Sequence, residues 1–282
     1  MIGRGLPAAW KAPSPKSAYV NSFFFTYFLL PQEESKILVG LKEADAPMAE
    51  NETPAVVLLS GGADSTVLLH HVIKNLGRRP VRALSFNYSQ RHSKELECAR
   101  WQARSAGVAE HRIIDVSFLG ELLKPATALI AGGEDVPNLR DLSADQLVQP
   151  PTYVPNRNMI LLSIAAAYAE AARIDEVFYG AQAQDQYGYW DCTATFVERL
   201  NHVLALNRGK PVKVYAPFVR MKKAETVQLG LELGVDFSHT WSCYRGGQKA
   251  CGACPTCAER LAAFRAAGAE DPIPYEPEAK TP

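Results

Sequence analysis

From residue 55 to residue 233 the chain alternates short apolar, β-branched runs with longer stretches whose apolar positions recur every three or four residues. The runs Ala55–Leu59, Val81–Phe86, His111–Val116, Glu176–Tyr179 and Val212–Tyr215 predict strands. The stretches Ser65–Leu76, Lys94–Ala106, Met159–Ala172, Thr195–Leu206 and Lys223–Leu233 predict helices. Strand and helix in regular alternation predict an α/β fold, a parallel sheet covered by helices on both faces. Lys124–Pro151, with its GGEDVP and paired prolines, reads as a long loop of the kind that is functional or moves. The proline-rich tail after Asp271 reads as extended or frayed.

The first 47 residues have a different texture. Their apolar stretch Phe23–Leu30 is closed by Pro31 and falls short of the roughly 20 residues that cross a bilayer. The following PQEESK offers no small-residue cleavage site of the secretory kind. Two readings stay open, translation from Met48 or an appended segment that packs on the body. The expected organisation is an N-terminal extension (1–50), an α/β domain (51–235) and a cysteine-bearing C-terminal segment (236–282).

Composition narrows the function. With 47% hydrophobic and 21% charged residues the chain suits a globular protein with a sizeable core. Thirty basic residues balance thirty acidic ones, so no global field draws it to nucleic acid or an anionic membrane, and a small-molecule partner is expected. Of six cysteines, Cys98 and Cys192 stand alone, while Cys243, Cys251, Cys254 and Cys257 crowd together with two CxxC-type spacings. That arrangement supplies a closed tetrahedral zinc site, structural because no coordination position remains open. An iron–sulfur cluster uses the same ligands, and four reduced buried cysteines are the plainer alternative.

The stretch Leu59-Ser60-Gly61-Gly62-Ala63-Asp64-Ser65-Thr66 feeds a strand into a helix through two glycines. Such a turn points backbone N–H groups at one spot on a helix N-terminus, where the dipole also favours an anion. Ser60, Ser65 and Thr66 add hydroxyl donors. Asp64 fits beside phosphates when it holds a cation such as Mg2+, or else it caps the helix. The pattern is not a Walker A loop, because no lysine follows the second glycine. A simple tight turn is the competing explanation.

SGGADS resembles the pyrophosphate loop of the N-type ATP pyrophosphatases, which cleave ATP between the α and β phosphates and adenylate a substrate oxygen. Further blocks, FNYSQRHSKELECA (86–99), YVPNRNMILLSIAAAYAE (153–170), YGAQAQDQYGYWDC (179–192) and TWSCYRGGQKACGACPTCAERLAAF (240–264), together resemble the 7-cyano-7-deazaguanine synthase family of the queuosine pathway, from Ala55 to Tyr275. The resemblance implies an adenine nucleotide alpha hydrolase-like (Rossmann-like), doubly wound parallel sheet. It implies a cytoplasmic C–N ligase that turns 7-carboxy-7-deazaguanine, ammonia and ATP into the nitrile through adenylated acid and amide. One structural Zn2+ and Mg2+ with ATP come with it, and a homodimer is compatible.

On that resemblance Leu59 to Thr66 and Arg91 are expected at ATP, with His92 and Lys94 nearby. Asp64, Ser65 and Arg157 are expected in catalysis. Arg157, Asp185, Tyr189 and Asp191 are expected at the substrate, the carboxylates accepting paired N–H donors and Tyr189 or Trp190 stacking on the ring. Cys192 reads as a small buried residue, since adenylation needs no thiol. One departure stands out: the family pattern carries proline at Trp190 and arginine at Thr193, and the lost positive charge puts carboxylate recognition there in doubt. Two rivals follow, an adenylating enzyme that joins a deazaguanine-type ligand to a protein or nucleic acid, and a silent binding module. An intact SGGADS argues against the second.

Overall fold

The computed structural model describes residues 52–91 and 94–277. All lie in one compact unit, Met48–Pro282. The expectations for residues 1–50 and for His92 fall outside the described residues.

The elements in chain order are β1 (Ala55–Leu58), α1 (Ala63–Lys74), β2 (Val81–Asn87), α2 (Lys94–Ser105), β3 (Glu110–Asp115), α3 (Phe118–Leu123), α4 (Ala144–Val148), α5 (Arg157–Ala171), β4 (Glu176–Phe178), α6 (Ala194–Leu204), β5 (Lys213–Tyr215), α7 (Lys223–Glu232) and α8 (Pro255–Ala266). The five strands form one sheet in the order β3-β2-β1-β4-β5. Every neighbouring pair is parallel. The chain winds from β1 to one edge, then returns to the other side of β1 with β4. The crevice beyond the carboxyl ends of β1 and β4 is therefore the topological switch point, where such sheets bind ligands.

The central strand β1 reads as a continuous apolar run because both of its faces are covered, whereas the edge strands β3 and β5 keep polar residues such as Glu110, Arg112 and Lys213. Ala55, Val57 and Leu59 pack with Val67, Leu68, Ala99, Val227 and Phe264 on one face. Val56 and Leu84 pack with Leu162, Ala165, Val177 and Val214 on the other. Phe237, Ala263 and Phe264 belong to the first of these clusters, so the C-terminal segment shares its core with the sheet. A third cluster gathers Cys98, Val136, Trp241, Cys243, Cys254, Cys257 and Ile273.

All five expected strands are present within a residue or two at each end. Helices α3 and α8 were not anticipated. The stretch read as a long loop contains single 3-10 turns at Lys124–Ala126 and Leu139–Asp141 and the short α4, whose start is closed by reciprocal Ser143–Gln146 bonds. Arg91 fastens this stretch: its Nε donates to the Ala128 carbonyl at 2.8 Å, and its guanidinium also bonds the carbonyls of Gly133 and Glu134.

Candidate active site

Beyond β1 the loop is drawn tight by its own hydroxyls. The Ser60 and Ser65 oxygens lie 3.0 Å apart, Gly62 N donates to Ser60 Oγ at 3.2 Å, and Ser65 Oγ donates to the Gly62 carbonyl at 3.2 Å. Gly61 has φ +93°, and a Cβ there would stand 2.0 Å from the Glu95 carbonyl. Only glycine lets the loop turn this way while α2 starts hard against it. At the exit of β4, a Cβ on Gly180 would stand 3.3 Å from the Ser65 backbone, so that strand end also runs close along the start of α1.

A cavity of about 260 Å³ opens here. Its wall holds Ser60, Gly62, Ala63, Asp64 and Ser65 from the loop and α1, Arg157 and Asn158 from α5, Lys223 from α7, and Pro255, Thr256 and Glu259 from α8. Four helices thus present their N-terminal turns to one space, each end carrying partial positive charge. Two of the four begin on a cation, Arg157 and Lys223. A positive side chain at a helix N-terminus is unfavourable by about 0.3–1 kcal/mol. Placing two of them in the same cavity makes sense when an anion arrives there.

Arg157 donates to Tyr88 Oη at 3.4 Å and, among the described residues, has no carboxylate at ion-pair distance. Lys223 Nζ lies 3.5 Å from Asp64 Oδ2 and 3.6 Å from Glu259 Oε2, with its side chain 8% exposed. Burial would lower its pKa, but the carboxylates of Asp64, Glu259 and Asp185 outweigh it, and the value is raised. Asp64 Oδ1 is buried with no hydrogen-bond partner. Asp185 lines the same wall, and Gln182 N donates to its Oδ2 at 3.1 Å. Burial pushes its carboxyl up to about 7, with Lys223 pulling downward and Asp64 adding to the rise. Tyr189, Trp241 and Tyr244 supply aromatic surface in the lining.

Of the residues expected at the site, Leu59, Ser60, Gly62, Ala63, Asp64, Ser65, Arg157, Asp185 and Tyr189 line the cavity. Others do not. Gly61 faces α2, and Thr66 is fully buried behind the loop, its N–H bonded to the Gly62 carbonyl. Arg91, placed at ATP by the sequence reading, spends its guanidinium on the backbone of the 128–134 stretch instead. Asp191, placed at the substrate, accepts from Asn158 N at 2.9 Å and so caps the first turn of α5. Its side chain is buried, which pushes its carboxyl up. Through this cap it holds the start of Arg157's helix. Cys192 reaches the lining, but burial pushes its thiol up, which disfavours a thiolate nucleophile.

The departure at YWDCTATF also finds its place. Thr193 Oγ1 accepts from Phe196 N at 3.1 Å and caps α6, while Trp190 donates to Tyr153 Oη at 2.7 Å and meets Phe196 edge-on. Neither side chain lines the cavity, and positive charge enters from Arg157 and Lys223.

Lys223, Glu259, Trp241 and Tyr244 were missed in the sequence. The lysine pair in VRMKKAETV, at a helix start just past the last strand, was the available signal, because lysine opposes the dipole there. Glu259 gave none.

Cys243, Cys251, Cys254 and Cys257 offer four sulfurs that all lie within 4.8 Å of one another. Cys251 and Cys257 Sγ are 4.0 Å apart, and Cys251 N and Cys254 N point at neighbouring sulfurs at 3.4 and 3.3 Å. Metal–sulfur bonds of about 2.3 Å in a tetrahedron put sulfurs about 3.8 Å apart, so the set fits one ion. The cluster is interleaved with the cavity wall: Ser242 and Tyr244 flank Cys243, Pro255 and Thr256 separate Cys254 from Cys257, and Trp241 N donates to the Gly61 carbonyl at 2.9 Å. Among the described residues no helix is long and apolar enough to cross a membrane.

Comparison with known proteins adds relatives to this geometry. A family model described as queuosine biosynthesis protein QueC matches residues 54–268. A 7-cyano-7-deazaguanine synthase of Caldicellulosiruptor saccharolyticus is 46% identical over 224 residues, which cover 79% of this chain and 95% of the relative. The one from Caldicellulosiruptor bescii is 48% identical over 222 residues, 79% of this chain and 97% of the relative. Among solved structures, NMN synthetase from Francisella tularensis is 17% identical with a TM-score of 0.42, covering 78% of this chain and 79% of its own.

Proposed function

Because the chain belongs to the QueC family of queuosine biosynthesis proteins, we propose that its cavity converts 7-carboxy-7-deazaguanine, ammonia and ATP into 7-cyano-7-deazaguanine. It is a ligase that forms a carbon–nitrogen bond. The observation that carries the assignment of roles is the pair of cations that open α5 and α7 inside a cavity whose floor is the glycine turn of α1.

A carboxylate is a poor electrophile, and activation by ATP cures this. A carboxylate oxygen attacks the α-phosphorus, pyrophosphate leaves, and ammonia then displaces AMP to give the amide. Adenylation of the amide oxygen, loss of both N–H protons and departure of AMP give the nitrile. Each transfer piles negative charge on phosphate oxygens, so the protein's contribution is fixed positive charge rather than a nucleophile. Ser60, Gly62 and Ser65 cradle the phosphates at the start of α1, and Lys223 faces the leaving pyrophosphate. The buried, unpartnered Asp64 Oδ1 suits a magnesium ion that accompanies ATP and neutralises phosphate charge. Arg157, without a carboxylate of its own, receives the carboxylate of the substrate. Tyr189, Tyr244 and Trp241 offer faces for the deazaguanine ring, and Asp185 accepts its N–H donors.

The four-cysteine set is assigned to one structural zinc. Its sulfur spacing suits a single ion, whereas a cube of four irons holds its cysteine sulfurs farther apart.

The test is mass spectrometry of the purified protein with Mg-ATP, ammonium and 7-carboxy-7-deazaguanine, beside Asp64→Ala. Nitrile with AMP in the wild type and neither in the variant is the expected result. AMP without nitrile overturns the proposal in favour of another acceptor.

A further inference from the structure

Lys223 is held from two sides, by carboxylates that belong to different parts of the fold. Asp64 comes from the first turn of α1 and Glu259 from α8, whose N-cap is Cys254 and whose first turn contains Cys257. Charge-assisted N–H···O bonds close to about 2.7–2.9 Å when unopposed. Here the ammonium stands 3.5 Å from one carboxylate and 3.6 Å from the other, balanced between them. The Lys223 side chain is 8% exposed, Asp64's 22% and Glu259's 42%, so of the two carboxylates Glu259 is the more open to water.

The balance matters because Asp64 has a second task. Its Oδ1 is buried without a partner, while Lys223 touches only Oδ2. Were Glu259 absent, nothing on the α8 side would oppose a close Lys223–Asp64 pair. Such a pair would neutralise the carboxylate that suits a cation and would turn the ammonium away from phosphate. Glu259 is well placed to prevent this, since Cys254 and Cys257 bracket the turn before it.

We propose that Glu259 is a positioning residue: it holds the Lys223 ammonium off Asp64, so that Asp64 stays available to the cation of Mg-ATP and Lys223 to its phosphates. This rests on the reading of Lys223 as a phosphate ligand given above. It also gives the cysteine segment a part in nucleotide binding, carried by one carboxylate.

The test is a double-mutant cycle read by calorimetry, with Mg2+ and α,β-methylene-ATP as the probe. The proteins are wild type, Glu259→Gln, Lys223→Ala and the double variant, each checked for an unchanged metal content. Glu259→Gln is expected to weaken probe binding on the order of tenfold. It should raise the Mg2+ concentration needed and leave the affinity for 7-carboxy-7-deazaguanine unchanged. In the Lys223→Ala background the same change should cost nothing further, and Glu259→Asp should restore part of the loss. Equal losses in both backgrounds, or loss of the bound metal with Glu259→Gln, would overturn the inference. If Lys223→Ala binds the probe like wild type, the phosphate role of Lys223 falls and the inference with it. If Lys223→Ala weakens binding and Glu259→Gln does not, the inference falls alone.

Discussion

Replacing Asp271 by asparagine keeps the shape of the side chain and removes its charge from a site that has almost no water. The side chains of Asp271 and Arg260 are each 1% exposed. Arg260 donates from Nε to Oδ2 at 2.7 Å and from Nη2 to Oδ1 at 2.9 Å, a two-pronged pair. Tyr275 Oη adds a third bond to Oδ2 at 2.7 Å and Ile273 N a fourth to Oδ1 at 3.3 Å. In the variant the guanidinium keeps Thr240, Ser242 and the Phe237 carbonyl but loses its only counter-charge at ion-pair distance among the described residues. Breaking a buried pair from one side costs about 3–5 kcal/mol, because the charge that remains is stranded. For a domain of this size each kcal/mol moves Tm by about 2–4 °C, so a fall on the order of 10 °C is expected. Urea unfolding followed by tryptophan fluorescence measures the cost directly. A companion variant, Arg260→Met with Asp271→Leu, removes both charges and should recover most of the loss. If Asp271→Asn costs less than about 1 kcal/mol, the pair is not the buried, uncompensated charge described and the reasoning fails.

Further outcomes follow from other groups. The Asp185 carboxyl, raised to about 7, binds protons that the unfolded chain has already released above its ordinary 3.8, so its contribution to stability of the ligand-free protein declines as pH rises between those values. Asp185→Asn should flatten that decline in a series of unfolding curves, and an unchanged slope would contradict the assigned environment. Thr193→Arg, which restores the family's usual residue, should leave turnover within about twofold and cost about 1 kcal/mol through loss of the α6 cap; a large gain in turnover would bring position 193 back into substrate recognition. Elemental analysis should find one zinc per chain in a colourless protein, and chelation should lower Tm and nucleotide affinity together. A brown protein would assign iron instead.

The centre of the sheet was readable because β1 is buried on both faces, which leaves the run AVVLL with no polar interruption. The helix starts were less so, and for a functional reason. α1 and α5 begin at Ala63 and Arg157, two residues ahead of where their apolar periodicity is readable, because Asp64, Arg157 and Asn158 line the cavity and interrupt the apolar pattern. The glycine turn and the cysteine spacing stand in local order, so both were legible before the fold put the one at the cavity wall and the sulfurs of the other within 4.8 Å of one another. Lys223 and Glu259 do not: the lysine left only its place at a helix start as a signal, and Glu259 looks like a solvated helix residue until the fold brings Lys223 to Asp64 and Glu259 to Lys223. Arg91 and Asp191 misled in the opposite sense. Both sit in blocks that resemble the family, yet one ties down backbone and the other caps α5.

Four converging helix starts also set the direction of traffic through the cavity. On the proposed reading, what enters is a triphosphate and a carboxylate, while the finished nitrile carries no charge. The helix starts, with Arg157 and Lys223, grip these reactants more firmly than this product, so converting acid to nitrile switches off the attraction that held it. The ions left behind, pyrophosphate and AMP, are then the slow leavers. Product-inhibition kinetics should accordingly rank pyrophosphate well above the nitrile, and the reverse order would mean that the ring, rather than the charge, governs residence.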